Sequence, residues 1–464
     1  MSRALPTAQT EPSAHAARVG IISLGCPKNL VDTEVLLGKV ATEHVVCADP
    51  TDADVVIVNT CGFIDQARDE SLAVIREVEG WKRAGKIKGV IVAGCLAQRW
   101  GDKIREDSPD VDAVLGMAEY DRIGEVLHGV LDARQLAEKA QAPWRTLVAA
   151  DPSYPVPEQT GRLRVTPAHY GYMQISEGCS NACTFCSIPT FRGLFRSKPR
   201  DVVLREAGEL VEAGAVELNI ISQDTTDWGR DLQGDPGLPH LLEQLSELED
   251  LRWIRLLYAY PGHVSDELIR AMRDLPKVVP YLDMPIQHIA TPVLKRMGRR
   301  HTREETRELL EKLRAEVPGI VLRTTFIAGF PGSTAADFDE LLEFVQEFRF
   351  ERLGVFPYSH EPNTPAGERF EDDVPAAEKE RRVDLLMRTQ QEIAFAHAQS
   401  LVGQTLEVLV EGADDEGQVI GRTAYDAPEI DPVVYLEGED LASGDIVRAR
   451  VLAAEDYDLI ARVE

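Results

Sequence analysis

The chain has 464 residues, 44% of them hydrophobic, and a formal net charge of −28. That length predicts two or three domains, each able to bury its own core, and the composition is ordinary for a soluble globular protein. No apolar run approaches the ~18 residues that a membrane span needs, which argues against a membrane partner. The first sixteen residues are small, polar and Pro-containing and read as a disordered tail (1–16) without the apolar core of an export signal. Seven cysteines, an odd count, argue against a disulfide framework and fit a reducing cytoplasm.

Residues 17–132 alternate short β-branched runs (Val19–Leu24, Val55–Asn59, Val90–Ala93) with longer amphipathic segments. This pattern predicts an open α/β sheet of parallel strands with helices on its faces. Each run is followed at once by a cysteine: Cys26, Cys61 and Cys95. Ligands of open α/β sheets bind beyond the carboxyl ends of the strands, so three thiols so placed can converge despite their separation in sequence. One such cysteine would read as a small residue suited to a tight turn; three in register favour a cluster site. Cys47, inside the run His44-Val45-Val46-Cys47, reads instead as a buried core thiol.

Between 133 and 164, Pro143, Pro152, Pro155 and Pro157 interrupt the periodicity, which predicts a linker. Residues 165–397 resume the alternation, with candidate strands Tyr170–Ser176, Glu217–Ser222, Trp253–Ala259, Pro280–Met284, Leu322–Ala328 and Arg352–Pro357. Six strands predict a partial (β/α)6 barrel, whose functional residues lie at the carboxyl ends of strands. Gln223-Asp224-Thr225-Thr226 follow the second strand, Pro285, Gln287 and His288 the fourth, and Gly329-Phe330-Pro331-Gly332 the fifth. His288 is expected to be a core or supporting histidine rather than a proton-transfer group.

At the head of this region stands Gly178-Cys179-Ser180-Asn181-Ala182-Cys183-Thr184-Phe185-Cys186. Three thiols on one loop can hold a cubane of four irons and four sulfurs, which otherwise takes four cysteinates, and leave one iron open for an exogenous ligand, as catalytic zinc does. Structural zinc is the bland alternative, but it brings a second ligand pair and none lies nearby. The basic run Arg192, Arg196, Lys198 and Arg200 is either a solvated face or a carboxylate clamp.

Glu378 to Gln399 reads as a charged helix joining this region to residues 398–464, where five short runs (Leu406–Val410, Gln418–Arg422, Val433–Leu436, Ile446–Leu452, Leu459–Val463) predict a small antiparallel β-barrel. Residues 401–464 carry 16 acidic residues against 4 arginines and no lysine, a net of −12. Such charge either serves solubility alone or makes a surface that repels a polyanion and attracts a basic protein; the second reading argues against nucleic acid as the substrate.

The Cys179, Cys183, Phe185, Cys186 pattern resembles the radical S-adenosylmethionine (SAM) superfamily. That resemblance implies a 4Fe–4S cluster on Cys179, Cys183 and Cys186 whose open iron chelates SAM. It also implies SAM contacts from Phe185, Gln223, Gly329, Phe330 and Glu217, the last in Gly214-Ala215-Val216-Glu217, a degenerate form of the motif beside the SAM amino group. Arg192 and Arg196 are candidates for the SAM or substrate carboxylate.

Ile22-Ser23-Leu24-Gly25-Cys26-Pro27-Lys28-Asn29, with Asp32 and Glu34, resembles the start of the methylthiotransferase family. Members carry an auxiliary 4Fe–4S cluster on three amino-terminal cysteines, here Cys26, Cys61 and Cys95, and the resemblance makes the carboxy-terminal barrel TRAM-like. Gly25 to Asn29, Gln223 to Thr226, Tyr258-Ala259-Tyr260-Pro261 and Tyr281 to His288 are similar to the protein-modifying branch of that family. The implied reaction is methylthiolation of an aspartate β-carbon in protein 12 of the small ribosomal subunit, by hydrogen-atom abstraction, sulfur insertion and SAM-dependent methylation. It implies an electron donor such as flavodoxin or ferredoxin, and a sulfur source. Two rivals stand beside it: a tRNA adenosine methylthiotransferase and a non-catalytic iron–sulfur carrier.

Overall fold

The computed structural model describes residues 16–132 and 145–464. Residues 1–15 of the expected tail and 133–144 of the expected linker lie outside the described residues. Two compact units are present. The first holds the described residues up to Tyr154 together with Gln159–Val165 and Thr190–Gly193, and the second holds Pro155–Glu158, Thr166–Pro189 and Leu194–Glu464.

The first unit is built on six parallel strands: β1 (Arg18–Ser23), β2 (Val45–Val46), β3 (Val55–Thr60), β4 (Gly89–Gly94), β5 (Ala113–Leu115) and β6 (Thr146–Leu147), in the order β2-β1-β3-β4-β5-β6. Every residue of β3 and β4 is buried, as expected of central strands covered on both faces. Helices α1 (Pro27–Val40), α2 (Asp65–Arg83) and α3 (Cys95–Trp100) follow β1, β3 and β4. Proline at the first position of α1 suits a helix start, where its missing N–H costs nothing. Ile75 and Val78 of α2 pack with Val56, Val58, Val90 and Val92 in one apolar cluster.

The expected linker is partly structured. Thr146–Leu147 extends the sheet as β6. Further on, the Leu163 amide donates to the Glu34 carbonyl (3.1 Å) and Arg162 pairs with the Glu34 carboxylate (3.4 Å). Cys47 meets the core expectation in part: it stands just past the two-residue edge strand β2, half-buried, and packs against the apolar cluster of the first unit.

In the second unit, β7 (Tyr170–Gln174) is followed by a two-stranded ribbon of β8 (Ser176–Glu177) and β9 (Arg196–Ser197). Then come β10 (Glu217–Ile221), β11 (Trp253–Leu256), β12 (Val278–Asp283), β13 (Val321–Ala328) and β14 (Arg352–Pro357). The six long strands are parallel in the order β14-β13-β12-β11-β10-β7, the expected partial (β/α)6 barrel. Their apolar side chains and those of the intervening helices form one core, from Met173 through Leu256 and Phe326 to Ile393.

A 25-residue helix, Ala376–Ser400, leads into the last domain. There β15 (Thr405–Ala413), β16 (Val419–Thr423), β17 (Val434–Glu437), β18 (Ile446–Glu455) and β19 (Asp458–Val463) close into a barrel in the order β15-β16-β17-β19-β18. Four of its pairings are antiparallel and one, β17 with β19, is parallel. Its core includes Val408, Val410, Val434, Val451 and Ala461. No helix among the described residues is long and apolar enough to cross a membrane.

Candidate functional site

In the first unit the three cysteines stand where β1, β3 and β4 end. Cys26 caps α1, Cys61 follows β3 and Cys95 opens α3. Gly25 has φ +92°, and a Cβ there would lie 2.8 Å from the Cys61 Cβ and 3.1 Å from its Sγ, so only glycine lets the end of β1 approach Cys61 this closely. Asn29, 1% exposed, ties the strand ends together. Its Nδ2 donates to the carbonyls of Leu24 (2.9 Å) and Thr60 (2.8 Å), and its Oδ1 accepts from the Cys95 thiol (3.3 Å). Asn59 donates in turn to the Asn29 carbonyl and the Thr33 hydroxyl, both at 2.8 Å.

The guanidinium of Arg192 also belongs to this cluster. Its Nη2 donates to Asp32 (2.8 Å), to Asn29 (3.1 Å) and to the Cys95 Sγ (3.2 Å). Burial pushes the Cys95 thiol up to about 12, opposed by Arg192, and raises that of Cys61. Cys95 feels the charges of both Cys26 and Cys61, and Cys61 that of Cys26.

In the second unit Cys179, Cys183 and Cys186 share one loop held from three sides. The Thr184 amide donates to the Met297 carbonyl (2.8 Å), its hydroxyl to the Arg296 carbonyl (2.8 Å), and its carbonyl accepts from the Ala366 amide (2.7 Å). Gly298, at φ +72°, has no room for a side chain, because a Cβ would lie 2.2 Å from the Ala182 carbonyl oxygen. The Asn181 amide donates to the Cys179 Sγ (3.4 Å) while its side chain donates to Asp224 (2.7 Å). Arg299 reaches the Cys183 Sγ (3.7 Å) and lies over the Tyr260 ring, 4.5 Å from its centroid. Burial pushes the Cys179 thiol up to about 11 and raises that of Cys186.

Each set thus offers three sulfurs, two of which burial disfavours as bare thiolates (Cys61 and Cys95, Cys179 and Cys186), and one guanidinium in contact with a sulfur. Both sets fit a cationic iron–sulfur group, which would compensate the thiolate charge. Beside the second set the Gln223 Oε1 is buried without a hydrogen-bond partner among the described residues, while its Nε2 donates to Glu177 (3.2 Å). An acceptor left open in this way fits an ammonium group.

Residues 173–345 match the Radical SAM superfamily, residues 18–116 the Uncharacterized protein family UPF0004, and residues 402–463 the TRAM domain. The fold is similar to that of the radical S-adenosylmethionine methyltransferase TsrM from Kitasatospora setae, with TM-score 0.53 at 14% identity over 76% of this chain and 77% of that one. The curated relatives run the length of the chain. The "Ribosomal protein uS12 methylthiotransferase RimO" of Geotalea uraniireducens is 45% identical over 449 residues, 96% of this chain and 98% of its own. That of Desulfitobacterium hafniense is 42% identical over 447 residues, again 96% and 98%. The chain belongs to the RimO family. It is a radical SAM methylthiotransferase, an enzyme class that uses an iron–sulfur cluster and SAM.

Several residues of this RimO-family chain stand elsewhere than the sequence predicted. Glu217 is the first residue of β10, at the strand's amino end, and its carboxylate is taken by Arg255 (2.9 Å) and Arg422. Burial alone would raise its pKa, yet the Arg422 and Arg255 guanidinium groups together hold it below the usual carboxylate range. The Gly214–Glu217 stretch is therefore a turn into a strand whose glutamate anchors an ion network, and the expected SAM contact is corrected. Arg192 is likewise corrected from a clamp for SAM or substrate carboxylate, since its carboxylate partner is Asp32. Arg196 lies on β9 and donates to the Leu194 carbonyl. Lys198 is fully buried against Glu206 (2.6 Å), and Arg200 pairs with Asp235. The basic run is neither a solvated face nor one clamp.

The remaining expectations are placed as follows. Phe330 is fully buried, edge-on to Tyr358 (5.1 Å between centroids) and Phe370 (6.1 Å), so only the backbone of Gly329-Phe330 is left to meet a ligand. Phe185 packs on the same apolar cluster. His288 is a core histidine, its Nδ1 accepting from the Ala290 amide (3.0 Å) and its pKa lowered to about 4 by burial. The sequence reading assigned no role to Asn181, Arg299 or His263, which pairs with Asp224 at 2.8 Å. Nothing in their local sequence marks their side chains, whose partners (Asp224 for Asn181 and His263, Cys183 for Arg299) lie dozens of positions away.

Proposed function

We propose that this enzyme methylthiolates the β-carbon of an aspartate in ribosomal protein uS12. The observation that carries the reading is the chain-long identity of 42–45% to relatives of that name. The net charge of −12 on residues 401–464 supports a basic protein over a polyanion. In this reading Cys179, Cys183 and Cys186 hold one 4Fe–4S cluster and Cys26, Cys61 and Cys95 a second. Bound there, the first cluster would pass on the low-potential electron that SAM cleavage needs, and the second would hold the sulfur to be inserted.

The chain's own residues have supporting roles. Gln223 accepts from the SAM ammonium through its open Oε1. The Gly329-Phe330 backbone borders the adenine, Phe185 shields the cluster loop, and Arg196, on β9, is the residue offered to a carboxylate. An aspartate β-carbon carries no acidic hydrogen for a base to remove, so hydrogen-atom abstraction is the route that an enzyme of this class provides. A ferredoxin or flavodoxin supplies the electrons, a separate source supplies the sulfur, and the reaction takes place in the cytoplasm.

The test is an anaerobic reaction of the reconstituted enzyme with SAM, a reductant, sulfide and either uS12 or tRNA. Mass analysis is expected to find SCH3 in place of one hydrogen on a single uS12 aspartate. Modification of a tRNA adenosine with uS12 untouched would overturn the reading in favour of the RNA enzyme. No SAM turnover with either would favour a carrier.

A further inference from the structure

We propose that Arg192 is a positioning residue of the Cys26/Cys61/Cys95 site that raises the reduction potential of the cluster held there. The inference rests on the assignment of those three cysteines as cluster ligands. In sequence Arg192 follows Cys186 by six positions, which invites a role beside the SAM cluster. The structure instead groups Thr190–Gly193 with the first unit. A single nitrogen, Nη2, touches three atoms: the Asp32 Oδ2 (2.8 Å), the Asn29 Oδ1 (3.1 Å) and the Cys95 Sγ (3.2 Å). The Arg192 and Asp32 side chains are 3% and 10% exposed, so neither charge is screened by water as a surface pair would be.

The simplest alternative is an ion pair that only anchors Arg192. An anchor needs the carboxylate; it does not need the same nitrogen within hydrogen-bond reach of a sulfur. Asn29 fixes the angle, because its Nδ2 is committed to the Leu24 and Thr60 carbonyls and its Oδ1 is therefore turned toward Cys95 and Arg192. Tyr120 borders the same group of charges: it is 6% exposed, its hydroxyl has no hydrogen-bond partner among the described residues, and it feels Asp32, Cys95 and Arg192. A donor and a positive charge at a cluster sulfur favour the more reduced, more negative state, and hydrogen bonds and net charge are the levers that set such potentials. Asp32 acts in the opposite sense, moderating the arginine.

This opposition gives a test that a purely structural role would fail. The full chain carrying Cys179→Ala, Cys183→Ala and Cys186→Ala is reconstituted anaerobically, so that its remaining iron reports the first unit. Its midpoint is read by potentiometric titration with electron paramagnetic resonance. Arg192→Gln is expected to lower the midpoint, Arg192→Lys to restore most of the difference, and Asp32→Asn to raise it. Equal midpoints in all variants, or shifts of the same sign for Arg192→Gln and Asp32→Asn, would overturn the inference. If Arg192→Gln retains no iron, Asp32→Asn alone decides: an upward shift supports the inference and an unmoved midpoint overturns it. A parent protein that binds no iron would instead sink the cluster assignment itself.

Discussion

Glu217 of β10 and Arg422 of β16 form an ion pair in which the side chains are 0% and 2% exposed. Arg255 completes it from β11, and Arg422 also reaches Glu411 (2.5 Å). The terminal barrel therefore supplies a charge that the central barrel cannot do without. A second set repeats the arrangement: Asp431 accepts from Tyr281 (2.6 Å), and Asp426 pairs with Arg352 (2.5 Å). Whatever else the terminal domain does, it neutralises buried groups of the catalytic one.

Removing one partner of such a pair strands the other without solvent. Arg422→Met is expected to destabilise the protein by about 3–5 kcal/mol, read as a lower midpoint in urea unfolding. Glu217→Gln should destabilise it too, while leaving the affinity for SAM unchanged. A large loss of SAM binding with stability intact would restore Glu217 to the SAM site.

His288 gives the acid side of the stability profile a sign. Its folded pKa, about 4 through burial, lies below the ordinary 6.5, so the unfolded chain binds the extra proton first. Its contribution is fully present above pH 6.5 and is lost as pH falls from there toward 4, on the order of 3 kcal/mol in full. His288→Gln should flatten the fall in stability across that window. An unchanged slope would show that other groups carry it, His301 being shifted in the same direction.

Asn29 links three strand ends through one side chain. Asn29→Ala removes these hydrogen bonds and takes the side-chain donor away from the Leu24 and Thr60 carbonyls, at a cost of about 2–4 kcal/mol. Iron retained by the first unit should fall as well, whereas Asn29→Asp keeps the Oδ1 contacts and should lose less. Equal iron in Asn29→Ala and the parent would remove Asn29 from the site.

The excess of acid in residues 401–464 predicts that association with uS12 slows steeply as salt rises, mainly through the on-rate. Stopped-flow binding at two ionic strengths measures this. A salt-independent rate would leave the charge to solubility alone.

Much of this was legible in the sequence because spacing encodes it. Cys179, Cys183 and Cys186 lie on one loop, and Cys26, Cys61 and Cys95 each follow a β-branched run, so the strand-end rule alone places them. Strands β5 and β6 were not legible: Ala113–Leu115 and Thr146–Leu147 are too short to show a period, and sheet partners decide their state. Glu217 misled because a glycine turn followed by a glutamate looks the same whether the acid faces a ligand or a buried arginine. The deciding residue, Arg422, is 205 positions away. Arg192 misled for the same reason, since its partners Asn29, Asp32 and Cys95 lie far upstream.

Two alanine variants examine directly whether the two sets of three cysteines do separable work. With SAM, reductant and uS12 supplied anaerobically, 5′-deoxyadenosine and methylthio-aspartate are quantified together. Cys183→Ala is expected to abolish both products. Cys61→Ala is expected to continue cleaving SAM, with roughly half of the iron of a protein holding about eight, and to make no methylthio-aspartate. Methylthio-aspartate formed by Cys61→Ala at the parent rate would contradict a sulfur-carrying role for Cys26, Cys61 and Cys95.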